Sequence, residues 1–242
     1  MIVKVFLLIL LTLAVVSSTR GADLLPAVFS PGERILFQGD SITDGGRGRS
    51  LDPNHILGHS YVFLIAARYG AAYPEQHLTF LNRGISGNRV SDLAARWRTD
   101  TLDLKPDVLS ILIGVNDIQL VSIEGYEKDY DALLAQAVAA NPRIKLVLCE
   151  PFILPGAHTT PHWVECQTTV KAMQAAVERL AVKYHAPVVH FQRVFDAAAR
   201  RDTPADYWIW DGIHPTYAGH QLMADEWVRT VSAFYGKPAA KG

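Results

Sequence analysis

The chain is 242 residues long, 49% hydrophobic and 19% charged, with a formal net charge of −1. That length builds one sizeable core and is too short for two comfortable domains. Balanced charge, with no basic run or stripe, leaves no electrostatic footprint for nucleic acid or an anionic membrane surface.

The N-terminus reads apart from the rest. Lys4 precedes a 12-residue apolar stretch, Val5 to Val16, and the small residues Ser17 and Ser18 follow. A cation, a short apolar segment and small residues make a secretory signal. The stretch is shorter than the roughly 20 residues a spanning helix needs. Residues 1–22 are therefore read as a signal peptide with a short lead, cut after Ser18 or Ala22. This predicts a secreted or periplasmic protein without a stable membrane anchor.

Five apolar runs follow as predicted strands: Ile35–Phe37, Leu78–Leu81, Val108–Ile113, Ile144–Leu148 and Val188–Phe191. Between them, Tyr61–Tyr69, Leu93–Thr101, Tyr126–Ala140, Val164–Tyr184 and Ala218–Phe234 place apolar residues near the helical period. Alternation of near-continuous apolar strands with helices predicts a parallel sheet covered on both faces. The fold expected is a three-layer α/β/α domain over residues 30–236, with a polar tail at 237–242. Cys149 and Cys166 are the only cysteines and have no metal-site spacing. Export makes a disulfide possible; two small buried hydrophobes fit as well.

In a parallel sheet the loops after the strands open on one edge, where ligand crevices form. Those loops carry Gly39-Asp40-Ser41, then Asn82-Arg83-Gly84-Ile85-Ser86-Gly87-Asn88, then Gly114-Val115-Asn116-Asp117, and Glu150-Pro151-Phe152. The last loop before the final helix carries Asp211 to His214. A serine hydroxyl becomes a nucleophile when a base removes its proton, and histidine suits that role. Asp211, three residues before His214, can orient the imidazole and stabilise its charged form. The Ser41 N–H, a backbone N–H exposed by Gly84 and the Asn116 amide are candidate oxyanion donors. Each residue alone has an ordinary structural reading: Ser41 as a helix cap, Gly84 as a turn glycine, Asn116-Asp117 as an Asx turn. Their joint order and placement favour catalysis. The remaining histidines read as surface or packing residues, with no metal-ligand cluster among them. Trp208 and Trp210 flank the catalytic loop, either as sugar-stacking rings or as core. Asp40, Asn88 and Trp210 are read as substrate-binding residues. Arg47 and Arg49 either bind hydroxyls or are solvated loop residues.

These four blocks, Gly39-Asp-Ser41-Ile, Gly84 in Asn82–Gly87, Gly114–Asp117 and Asp211-Gly-Ile-His214-Pro, resemble those of the SGNH hydrolases, the GDSL-type esterases. Ile42 stands where the family's nickname has leucine. The resemblance covers essentially the whole chain after the leader. It implies a flavodoxin-like fold with a central five-stranded parallel sheet, Ser41 as nucleophile, Gly84 and Asn116 in the oxyanion hole, and His214 as base supported by Asp211. No Gly-x-Ser-x-Gly surrounds Ser41, which argues against an α/β-hydrolase nucleophile elbow. Longer stretches, Gly39–Arg47, Gly87–Trp97, Asp103–Pro106 and Trp210–His220, resemble the acetylxylan esterases of that family. That implies removal of acetyl groups from carbohydrate, xylan or xylo-oligosaccharides, through an acyl-enzyme, with no metal or organic cofactor. It also leaves homo-oligomerisation open. The alternatives are a short-chain acyl esterase, lysophospholipase or thioesterase with the same triad, or a carbohydrate-binding protein without catalysis.

Overall fold

A computed structural model of the chain describes residues 25–50, 52–200 and 202–236. The leader expected over 1–22 and the tail at 237–242 lie outside the described residues. Five parallel strands, β1 (Arg34–Gly39), β2 (Thr79–Asn82), β3 (Val108–Leu112), β4 (Lys145–Cys149) and β5 (Val188–Val189), form a sheet in the order β2-β1-β3-β4-β5. This is the flavodoxin-like order, as expected. The helices are α1 (Ser41–Asp44), α2 (Tyr61–Ala72), α3 (Val90–Asp100), α4 (Ile123–Ala140), α5 (Trp163–Tyr184), α6 (Phe191–Ala199), α7 (Ala205–Trp208) and α8 (Tyr217–Tyr235).

Alternation along the strands sorts side chains into two cores. Ile35, Phe37, Val108, Leu112, Val147 and Cys149 face α2, α6 and α8. Leu36, Leu109, Ile111, Leu146 and Leu148 face α3, α4 and α5. On the first side Trp227 is fully buried between Phe29 and Phe37. Its indole N–H donates to Ser110 Oγ, 2.9 Å away, so this buried ring keeps its hydrogen bond. Cys149 Sγ lies 3.7 Å from the same hydroxyl. Both cysteines are free and buried, which decides for the hydrophobic reading over a disulfide.

The structure differs from the predicted elements in one place that matters. The run Val188–Phe191 is strand only through Val189; Phe191 opens α6. Phe191, Phe195 and Ala198 recur at helical spacing and are buried, a period that the preceding apolar residues mask. The short α1 and α7 also went unpredicted, since four-residue helices carry no periodic signal.

Candidate active site

Strand order reverses between β1 and β3, so the loops leaving these strands diverge and open a crevice at the sheet's carboxyl edge. Ser41 enters it as the first residue of α1. Asp40 caps that helix: its Oδ1 accepts from the Ile42 N–H at 3.0 Å. Asp40 is only 1% exposed, so it does not reach a substrate. Here the structure corrects the sequence reading, because the carboxyl is turned inward by its capping bond. Its Oδ2 has no partner. Burial pushes its pKa up to about 7, against the lowering effects of the Ile42 N–H and nearby His214.

Across the crevice, Ser41 Oγ lies 2.9 Å from His214 Nε2, and His214 Nδ1 lies 2.6 Å from Asp211 Oδ2. A carboxylate only accepts, so in the neutral ring Nδ1–H donates to Asp211 and Nε2 accepts from the serine hydroxyl. Asp211 is almost wholly buried, and its Oδ1 accepts from the N–H groups of Ile213 and His214 at 2.9 and 2.7 Å. Burial raises its pKa, but the His214 N–H, the His214 ring and the Ile213 N–H outweigh that and hold it below the usual range. An antiparallel bridge between Ile209 and Pro215 closes this loop, with Trp210 N–H donating to His214 O. Exposed His158 also approaches Asp211 Oδ2, at 3.5 Å.

The oxyanion side departs from expectation at Gly84. Its N–H donates to Asn82 Oδ1 at 2.9 Å, its carbonyl accepts from Arg47 Nε, and a Cβ there would overlap the Asp44 amide nitrogen. Gly84 is thus a close-packing glycine behind α1, and its N–H is consumed. Three residues on, exposed Gly87 takes a positive φ of 82°, and its N–H has no partner among the described residues. The Ser41 N–H is likewise free. Asn116, in a 3-10 turn after β3, uses one amide proton on the Asn88 carbonyl, 3.0 Å away, and keeps the other. The carbonyl of Asn88 therefore orients Asn116, while its side-chain Oδ1 accepts from Arg96 Nε at 2.8 Å.

Several bracing residues were not singled out from the sequence. Arg96 also reaches Gln38 Oε1 and the carbonyls of Arg83 and Gly39, tying together the ends of β1 and β2. Asp117 accepts from the Val90 N–H and caps α3. Asp44 holds Ser86 and Arg49, so Arg49 is spent on an ion pair at 2.7 Å and Arg47 is buried. Asp117 lies within the Gly114–Asp117 block, and Arg96 and Asp44 lie in the stretches around the motif residues, without a pattern that shows their bracing role. The two tryptophans divide: Trp208 is buried, whereas Trp210 is 61% exposed with its ring stacked beside His214. Ser41, His214 and Trp210 share a depression of about 320 Å³ with His59 and His220.

Among the described residues, Glu150, Glu178 and His190 form the one trio within metal-ligating distance. Its buried member, Glu150, already accepts from Gln192 N–H and contacts His190.

A nucleophile, a base and an orienting acid at hydrogen-bond distances, with free donors on the adjoining loops, suit acyl transfer. The model of the GDSL-like Lipase/Acylhydrolase family matches residues 37–222. The chain belongs to that family. It is similar to an acetylxylan esterase of Geobacillus stearothermophilus, 34% identical over 211 residues that cover 83% of this chain and 94% of that one. Among solved structures, one described as a GDSL-like lipase from Parabacteroides merdae superposes with a TM-score of 0.80 at 37% identity, covering 86% of this chain and 99% of that one. The G. stearothermophilus acetylxylan esterase superposes at 0.74 with 31% identity, covering 86% and 98%. This family member is a carboxylic ester hydrolase. No helix among the described residues is long and apolar enough to cross a membrane.

Proposed function

We propose that this hydrolase removes acetyl groups from carbohydrate, with xylan or xylo-oligosaccharides as its substrates, and that it is exported. The relay from Ser41 through His214 to Asp211 carries the reading of the chemistry. Similarity to an acetylxylan esterase, and the exposed Trp210 ring beside the base, support the substrate. The cation, apolar stretch and small residues within 1–22 support export.

Ser41 Oγ attacks the ester carbonyl as its proton passes to His214 Nε2. The Ser41 and Gly87 N–H groups and the remaining Asn116 amide proton hold the oxyanion. His214 then protonates the leaving sugar oxygen, and the acetyl group stays on Ser41. Water enters and gives a proton to His214 as its oxygen bonds the acyl carbon; the bond to Ser41 Oγ then breaks, His214 returns that proton to Ser41, and acetate is released. Asp211 holds the imidazole in the tautomer that this requires and stabilises its charged form.

The test is a panel of acetylated xylo-oligosaccharides against aryl esters of increasing chain length, with products read by NMR. Acetylated sugars should be the better substrates; preference for long acyl chains would overturn the substrate assignment. Ser41→Ala should abolish turnover. Asp211→Asn should lower kcat by about 10⁴-fold with the fold intact; a mild loss would indicate a Ser-His dyad.

A further inference from the structure

His220 stands on α8, in the wall of the depression that holds Ser41 and His214. Its Nδ1 accepts the Tyr61 N–H at 3.2 Å, so in the neutral ring the proton must sit on Nε2. Near-parallel stacking on the Tyr61 ring, with a 15° interplanar angle, fixes its plane. Only 7% of the residue is exposed. Yet Nε2 has no partner among the described residues and is not among the buried polar atoms left without one. The small exposed part of the ring therefore includes an unused N–H donor at the crevice wall.

Its place relative to the reacting atoms follows from the loops. The oxyanion donors Gly87 and Asn116 come from the loops after β2 and β3. His220 stands instead on the helix that follows the His214 loop and packs against α2, and it lines the depression with Ser41 and His214, which Gly87 and Asn116 do not line. The sugar alkoxide breaks from the acyl carbon while Ser41 keeps the acetyl group, and it must lie against His214 to be protonated, in the depression that His220 also lines. Burial, with His59 and His214 close by, holds the His220 pKa down to about 4. The ring is thus neutral above about pH 4 and donates from Nε2.

We infer that His220 is a substrate-positioning residue whose Nε2–H donates to an oxygen of the leaving sugar next to the acetylated position. This rests on the carbohydrate reading given above. One neutral hydrogen bond is worth about 3–10-fold in binding.

The test uses His220→Asn, which keeps an acceptor near the Nδ1 position for Tyr61 but withdraws the donor, and His220→Gln, whose amide reaches the Nε2 position. The readout is the ratio of kcat/KM on an acetylated xylobioside to that on phenyl acetate, which has no sugar oxygens. His220→Asn should lower this ratio about 3–10-fold, chiefly through KM, and His220→Gln should recover most of it. The acid limb of the pH profile should not move in either variant. An unchanged ratio, an equal loss on both esters, or a shifted acid limb would overturn the assignment. A wild-type enzyme inert on acetylated sugars overturns the carbohydrate reading and this inference together. A wild type active on sugars, with the ratio unmoved in His220→Asn, overturns the inference alone.

Discussion

Asn116 has one amide proton tied to the Asn88 carbonyl and one without a partner among the described residues, which the proposed mechanism offers to the oxyanion. Removing it deletes the free donor and releases the loop it is bonded to. Asn116→Ala should lower kcat about 10²–10³-fold with KM little changed, since the donor acts on charge that develops in the transition state. Steady-state kinetics on phenyl acetate check this; a loss confined to KM would assign Asn116 to ground-state binding. The residues that meet here were legible in the sequence because their types and order match the chemistry. Their detailed duties were less so. Gly84 and Gly87 sit three apart in one loop, and no sequence pattern shows which N–H is already consumed. Asp40 looked available for substrate because it adjoins Ser41, but its capping bond turns it inward.

At the scale of elements, α1 is a four-residue helix that presents the nucleophile, held by Asp40 at its start and Asp44 at its end. Asp40 gives it a pH signature. With its folded pKa raised to about 7, Asp40 keeps its proton while the unfolded chain, near 4, has lost it. The folded state then binds more protons, so this contribution is complete below about pH 4 and is lost as pH rises toward 7. The slope is at most about 1.4 kcal/mol per pH unit. Asp40→Asn keeps the cap but cannot ionise. It should gain stability relative to the wild type between pH 4 and 7, measured by urea unfolding at several pH values. Parallel curves would mean that Asp40 is ionised throughout. Helix α6 makes the complementary point about legibility: its periodic residues follow β5 without a break, and only the sheet's geometry ends the strand at Val189.

For the whole molecule, the sheet separates two cores, and both thiols sit in the one toward α2, α6 and α8. Burial pushes the Cys149 thiol up to about 12, and the Cys166 thiol is also raised. Thiolates are therefore scarce in the native state, and neither sulfur is poised to react. A thiol reagent should count almost none in the folded protein and two after denaturation, and reductant should leave Tm unchanged. A reductant-dependent Tm would reveal a disulfide instead.

The sequence by itself determined the fold class, since alternating apolar strands and amphipathic helices can be buried only in a layered α/β arrangement. It also pointed to the serine, histidine and aspartate that meet in the crevice, because residues at strand-end loops must converge on one sheet edge. Only the tertiary structure decided which backbone N–H groups stay free, which carboxylates brace and which face the crevice, and that Trp210 lies open while Trp208 is buried. Those outcomes depend on hydrogen-bond partners and neighbours tens of residues away in the chain, and a local pattern carries no information about them.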